Sequence, residues 1–522
     1  MSLSYQLLLD LYRGRSAVVE QMNDADRAAL RLDTPLARFI GQAARDGSPR
    51  HIVLTGNAGD GKTFAALTSQ TAGMSLIRDA SADPSGGAPI KGLAKTLTES
   101  LDAGSRLLIA INRGQLERLA EAVSGQDTTL GRLVAEIRRQ STLRESWSQE
   151  PASDEVAVID LGLCDWTADE VIEAMLQKAA TVDLSGVTGS ARTAAEEARK
   201  ALSAPHVRGW VRRVMQSVRG EGRHMTMRQL WSFTAFLVTG GLRPDDASKP
   251  LGLSDTVGAR LFAYNARRTP LENALPQVDP ARLPEPGITR MLLSGAAPAC
   301  LSDLAGVGRL ATDADQCRDG VAAVRAAVVH DPARAPKQEQ TDTFTALVKK
   351  LSGASGWQRM SGPTRRLLKG IYKALGLWCA DPAFPAWQVL CYDSVRYEQT
   401  PAVANGEIAP DNLVLALPRP PPRCEQALGG SWRPPYVWMS VVGREEVRLR
   451  LTPRLLNSLY LEEPSALDPS DELLLARWLA RLPAPPDPNR VRIARRATDG
   501  ESARPLSVTK DEISGRIRIE EA

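Results

Sequence analysis

The apolar residues in the first third of the chain fall into short unbroken runs separated by helix-spaced patterns. Ile52-Val53-Leu54, Met74 to Asp79, Leu107 to Asn112 and Val156 to Asp160 are runs of strand length. Runs without polar alternation suit strands buried on both faces of a parallel sheet. Between the second and third runs, Leu93, Leu97 and Leu101 recur every fourth position, which predicts a helix over Ile90 to Leu101. This strand–helix–strand alternation predicts an α/β core. Ser141 to Pro151 is polar and reads as an inserted loop, and Thr181 to Lys200 reads as a helix. Met225 to Gly241 predicts another helix, capped by Thr226, stopped at Gly240 or Gly241, with Leu230, Phe233 and Leu237 on one face.

The second half is punctuated differently. Pro270 to Pro286 reads as a linker or extended loop. Residues 301–380 read as helical, with Thr343 to Leu351 and Arg365 to Leu377 as clear pieces, and composition shifts near Asp381-Pro382. Trp387 to Tyr392, Asn412 to Leu417, Tyr436 to Val442 and Val447 to Leu451 predict strands. Leu455 to Leu461 and Asp471 to Leu482 predict helices, and Arg490 to Ile493 and Arg516 to Ile519 a closing pair of strands.

One stretch carries recognisable chemistry. Gly56 to Thr63 fit G-x-x-x-x-G-K-T between a strand and a helix start. In that context Gly56, Gly59 and Gly61 allow tight turns, and successive N–H groups of Gly56, Asn57, Ala58, Gly59, Asp60, Gly61, Lys62 and Thr63 surround a phosphate. Lys62 would reach the β and γ phosphates of ATP, and the Thr63 hydroxyl would hold Mg²⁺. The spelling G-x-x-G-x-G-K-T is common in AAA-type ATPases. The expected architecture is an AAA-like P-loop NTPase core with a helical lid and an α+β C-terminal domain. Its expected parts are a helical segment 1–50, the core 51–205, the lid 206–300, a helical region 301–380 and the C-terminal domain 381–522.

Hydrolysis also needs an acid for the metal and a group that orients water. No strand ends in a pair of acids. Asp160 is the first choice for the Mg²⁺ partner and Asp79 the second, with a turn or cap as the alternative for each. The stretch Ile109 to Leu116 resembles the sensor strand of AAA-type ATPases, which implies a water-orienting role for Asn112 at the strand tip, before a helix. The resemblance to AAA-type ATPases, whose helical lid supplies an arginine to the nucleotide, makes Arg228 at the start of the predicted Thr226-capped helix the candidate for that contact, or else a surface arginine.

Composition narrows the partners. The 522 residues are 43% hydrophobic, enough for about three to four domains. A net charge of +4 leaves any nucleic-acid surface local. Arg208, Arg212, Arg213, Arg219, Arg223 and Arg228 form a basic stretch, read either as phosphate contacts or as a solvated face. Trp432, Trp438 and Arg433 would stack on bases or lie in a core. Six cysteines without a C-x-x-C pair argue against a zinc ribbon, and His51, His206, His224 and His330 are too scattered for a metal box. No signal-like segment and no run of 18 apolar residues occurs, so no membrane association and a cytoplasmic location are expected.

The order of landmarks resembles the DptF family, P-loop proteins of the restriction module in DNA phosphorothioation systems. The resemblance rests on G-N-A-G-D-G-K-T, R-D-A-S at Arg78 to Ser81, I-A-I-N-R-G-Q-L at Ile109 to Leu116 and V-I-D-L at Val158 to Leu161. It continues through M-R-Q-L and V-T-G-G at Met227 to Leu230 and Val238 to Gly241, and Leu449 to Tyr460 before Asp-Pro-Ser-Asp. Arg113 departs from it, standing where an acid is usual. The resemblance implies an ATP-binding subunit of an anti-phage complex. It would act with a helicase-like or nuclease partner on DNA, directly or through the complex. Alternatives are a non-hydrolysing ATP-binding scaffold and an oligomerising signalling NTPase.

Overall fold

A computed structural model describes residues 2–14, 22–69, 73–77, 89–141, 143–145, 152–220, 222–246, 252–265, 267, 269–282, 316–336, 343–374, 388–389, 402–406, 410–461, 467–481, 490–494, 506–510 and 514–521. The chain divides into two compact units. The first comprises Met1–Leu143, Gln149–Gln340 and Pro420–Arg433, and the second Arg144–Ser148, Thr341–Arg419 and Pro434–Ala522.

The first unit is α/β. Its sheet holds β1 (His51–Thr55), β2 (Ser75–Ile77), β3 (Leu107–Ala110) and β4 (Val156–Asp160) in the order β2-β3-β1-β4, all parallel. The unbroken apolar runs follow from burial on both faces. Ile52, Leu54, Leu108, Ala110, Ala157 and Ile159 enter one core, which also takes in helices Pro35–Asp46, Asp169–Ala180 and Met227–Thr239. Val53, Leu107, Ile109, Val156 and Val158 enter the other, under helices Pro89–Asp102, Arg113–Ala122 and Thr129–Gln140. The chain runs from β1 outward to β2, returns to β3 beside β1, then crosses β1 to reach β4. That reversal opens a crevice at the carboxyl ends of β1 and its neighbours, where ligands of open α/β sheets sit.

His51 ties β1 to β3. Its buried ring accepts the Leu107 N–H at Nδ1, 3.2 Å away, while Nε2 lies 3.5 Å from Glu155 Oε1. Burial holds the His51 pKa below its ordinary value; Glu155 opposes this, and Arg50 and Arg106 reinforce it. The neutral ring is the form that can accept at Nδ1.

The first unit also corrects an expectation. The stretch Pro270 to Pro286 is not simply a linker: Leu271–Val278 is a helix with Pro276 inside it. Leu271, Ala274 and Leu275 form one buried face, and that burial outweighs the proline. Residues 283–286 lie outside the described residues.

A segment distant in sequence completes this unit. Helix Pro422–Leu428 packs on β4 and on helix Pro35–Asp46, burying Cys424, Ala427 and Leu428. Gly429, at φ +52°, lies so close to Pro35 that a Cβ would come within 3.3 Å of the proline ring. Arg423 adds an ion pair with Asp154 at 2.8 Å.

The second unit combines helices with antiparallel sheets. β5 (Gln358–Arg359), β6 (Leu413–Ala416), β7 (Val437–Val441) and β8 (Leu449–Leu451) lie in the order β8-β7-β6-β5. Alternate residues Leu413, Leu415, Val437, Met439, Leu449 and Leu451 share one core with Leu367, Leu368, Leu455, Leu456 and Trp478 from helices Ser361–Ala374, Pro453–Leu461 and Pro469–Ala480. Helix Ser361–Ala374 meets Pro453–Leu461 at Gly370, where a Cβ would lie 2.1 Å from the Leu459 carbonyl oxygen.

The tail differs from expectation. Arg490–Ala494 and Ile517–Glu521 are strands but do not pair with each other, because Leu506–Lys510 lies between them. That strand alternates Leu, Ser, Val, Thr, a period-2 pattern too short to stand out beside the polar residues before it. Ala402–Gly406 and Gln388–Val389 complete this five-stranded sheet. The remainder of the expected Trp387 to Tyr392 strand lies outside the described residues.

Two outcomes follow for stability. Gly370→Ala lowers the denaturant midpoint of the second unit by the equivalent of about 1–3 kcal/mol, the cost of overpacking. Gly362→Ala, in the same helix with nothing within 4 Å of its Cβ, stays neutral or gains slightly. For His51, a folded pKa below the unfolded value of about 6.5 means that the folded state binds fewer protons. Stability therefore falls as pH drops below about 6.5. Thermal melts at neutral and mildly acidic pH differ less for His51→Gln than for the wild type.

Candidate functional site

The glycine-rich loop leaves the carboxyl end of β1, in the crevice of the first unit. Gly56, Gly59 and Gly61 take φ values of +138°, +93° and +87°. These left-handed conformations admit glycine at little cost. At Gly56 space is also closed: a Cβ would lie 2.8 Å from Asp60 Oδ2 and 3.0 Å from the Gly162 nitrogen. Gly61 leads into helix Lys62–Thr68, whose first intrahelical bond is Ala65 N–H to the Gly61 carbonyl. Amides preceding that bond, in the first turn, are the ones an anion satisfies. Lys62 is buried and folds back over the loop, its Nζ donating to the carbonyls of Asn57 at 2.7 Å and Gly56 at 3.3 Å. Thr63 is the second residue of this helix.

Asp60 holds the loop closed from within. It is fully buried, and Oδ2 accepts the Asn57 N–H at 2.7 Å. Oδ1 lies 2.6 Å from His224 Nε2. Beyond His224 comes the expected helix, Met227–Thr239, with the expected cap. The Thr226 hydroxyl accepts the Gln229 N–H at 3.3 Å, and Gln229 Oε1 accepts the Thr226 N–H at 3.0 Å. Gly240 ends the helix at φ +58°. Its amino end rests on the loop: the Arg228 N–H donates to the Gly59 carbonyl at 3.1 Å, and a Cβ on Gly59 would meet Thr226 Oγ1 at 3.1 Å. The positive end of a 13-residue helix therefore abuts the loop. Arg228 touches the loop by its main chain, and its side chain is exposed.

Asp160 ends β4 opposite Thr55, the residue before the loop. One carboxylate oxygen accepts the Gly162 N–H at 2.9 Å and the other pairs with Arg113. Arg113 begins the helix after β3, and Asn112 is that helix's N-cap residue, without a capping bond from its own side chain. Thr55, Arg113, Leu116, Glu117, Arg138 and Asp160 line an open pocket. The Thr55 hydroxyl is buried there without a hydrogen-bond partner, which marks a place for water or a polar ligand atom. Asp79 lies outside the described residues; β2 before it is the edge strand, separated from β1 by β3.

Comparison with known proteins finds nothing similar. No family model, curated protein or solved structure matches the chain. The site is therefore read from its own chemistry.

Several residues grouped by sequence part company. Arg208, Arg212 and Arg219 are engaged by acids: Arg208 with Glu173 at 2.5 Å, Arg212 with Glu173 and Asp169 at 3.4 Å, and Arg219 with Asp165 at 2.7 Å. Arg213 stacks over Trp210 at 5.3 Å. Arg208, Arg212 and Arg219 thus lie on an ion-paired surface, while Arg223 and Arg228 are exposed. Trp432 packs against the core of the first unit, and the Arg433 N–H donates to the Leu163 carbonyl at 3.1 Å. Trp438 belongs to the second unit. Cys164 and Cys424 are buried, and burial pushes both thiols up, Cys424 to about 12, which leaves them inert as nucleophiles. Among the described residues no three His, Cys, Asp or Glu side chains are grouped to hold a metal.

The clasp residue His224 and the holding role of Asp60 escaped the sequence reading. T-x-x-Q at Thr226 to Gln229 was the available signal for the adjoining cap. Asp60→Ala removes the acceptor for the Asn57 N–H and the partner of His224. It should cost about 1–3 kcal/mol in thermal or denaturant unfolding. Asp60→Asn, which keeps an acceptor oxygen, should lose less.

Proposed function

We propose that the protein is an ATP-binding P-loop NTPase of AAA-like architecture, with helix Met227–Thr239 as part of a lid over the nucleotide. The observation that carries this reading is the loop itself. Three glycines of positive φ lie at the carboxyl end of an inner parallel strand, and Lys62 follows at the start of a helix. Main-chain amides of Gly56 to Thr63 would bind the phosphates, and Lys62 would exchange its carbonyl partners for phosphate oxygens. Thr63 would hold Mg²⁺, which supplies charge neutralisation between the β and γ phosphates when bound. Asn112, at the tip of the strand beside β1, would orient water, and the exposed Arg228 guanidinium would reach the nucleotide. Asp160 has to exchange Arg113 for the ion, and Asp79 is the second candidate.

The residue-level resemblance extends the proposal to a subunit of a bacterial DNA-defence complex linked to phosphorothioation-dependent restriction. Nucleotide state would switch its assembly with a helicase-like or nuclease partner on DNA. A second reading has its own support. The Arg113–Asp160 ion pair neutralises the best acidic candidate, which favours an ATP-binding scaffold that does not turn over.

Calorimetry with Mg-ATP tests the first step. The wild type should release binding heat, and Lys62→Ala should bind about tenfold or more weakly, reflecting loss of a charge-assisted hydrogen bond. No heat from folded wild-type protein would overturn the proposal. Phosphate release measured with DNA and partners present separates the readings: turnover supports the ATPase, and background rates support the scaffold.

A further inference from the structure

The second unit carries a sheet face whose chemistry the nucleotide reading leaves unused. Alternation along β7 and β8 sends Val437, Met439, Leu449 and Leu451 into the core and leaves Trp438 and Arg450 on the opposite face. These two pair directly across the strands. On its other side Trp438 stands opposite Ala416 of β6. Gln358 pairs with Leu415, so the antiparallel register brings Trp357 into line with Ala416. One row across the sheet therefore reads Arg450, Trp438, Ala416, Trp357. Alanine in the middle separates two indoles by two strand spacings, about 10 Å, and the Arg448 guanidinium stands within 6 Å of both rings.

The arginines are already arranged on these rings. The Arg450 guanidinium lies 5.1 Å from the Trp438 ring centre and 5.2 Å from that of Tyr436. Arg448 lies 5.8 Å from Trp438 and 5.9 Å from Trp357. Tyr436 and Trp438 meet edge to face at 4.8 Å. Trp357, Tyr436 and Trp438 are partly exposed, and Arg359 and Arg450 are exposed. Strands β5 to β8 contain no Asp or Glu. In the turn between β7 and β8, Glu446 pairs with Arg444, and Glu445 accepts the Gly443 N–H. In a chain of net charge +4, this is a local positive surface rather than part of a general one.

We propose that this face binds a single-stranded nucleic acid. Bases would stack on Trp357, Tyr436, Trp438 and the guanidinium planes, and Arg359, Arg448 and Arg450 would meet phosphates. Unpaired bases offer a free ring face to aromatic and guanidinium groups, whereas a duplex keeps its bases stacked on one another. Helices behind a four-stranded sheet, with aromatics in front, are an arrangement that single-strand binders use. Charge complementarity favours a polyanion over a protein partner. The site is independent of the glycine-rich loop, so the proposal stands or falls without ATP.

Fluorescence anisotropy of the full chain, without nucleotide, tests it. The probes are labelled oligothymidylate and oligouridylate of about twelve nucleotides, within the usual site sizes, and a duplex of equal length. Either single strand should bind more tightly than the duplex, and binding should weaken with salt. Trp438→Ala should weaken it about tenfold or more, Trp438→Phe should retain most of it, and Arg450→Glu, an exposed change, should weaken it with an unchanged circular dichroism spectrum. If Trp438→Ala fails to fold, Arg450→Glu decides. The proposal is overturned if neither single strand binds, if the duplex binds equally well, or if folded Trp438→Ala and Arg450→Glu bind like the wild type.

Discussion

A carboxylate removed from water must find partners or become costly, and the Asp60 side chain is fully buried. Its partners are the Asn57 N–H and the His224 ring. The first closes the glycine-rich loop on itself. The second binds the loop to the segment that enters helix Met227–Thr239. Once that helix is seated, its first turn reaches the Gly59 carbonyl through the Arg228 N–H. Loop shape and helix position are thus set by one buried acid.

The sheet supplies the other half of the constraint. β1 has a neighbour on each side, and chain direction across the sheet reverses around it. The ends of β3 and β4 therefore flank the loop, bringing Asn112 on one side and Asp160 on the other. Arg113 follows Asn112 and pairs with Asp160 across this gap. The acid that ends β4 is thereby occupied by Arg113.

Legibility from sequence followed the range of the interactions. Strands β1, β3 and β4 were readable because double-sided burial demands apolar runs, and helix Met227–Thr239 because its cap and terminal glycine are local. The loop was readable because its glycines answer to backbone geometry. The Asp60–His224 contact was not, since it joins residues 164 apart in sequence. Nor was the order of the tail strands, which depends on pairing rather than on any strand's own pattern. Trp438 could be named as a residue that stacks on bases or lies in a core, yet its neighbours Trp357, Tyr436, Arg448 and Arg450 emerge only from the folded sheet. The helix Leu271–Val278 was hidden by proline, a local signal overridden by burial at Leu271, Ala274 and Leu275.

Helix Pro422–Leu428 gives the first unit an unusual dependence on time. It covers β4 and helix Pro35–Asp46 with side chains supplied long after the rest of that unit. A ribosome delivers the chain from its amino end, so the partly built unit presents an uncovered apolar strip until residue 433 has emerged. A fragment ending at Gln340 would keep that strip bare permanently. Maturation of the first unit is therefore bound to translation of most of the second, and nascent chains that stall in between are exposed to aggregation or chaperone capture.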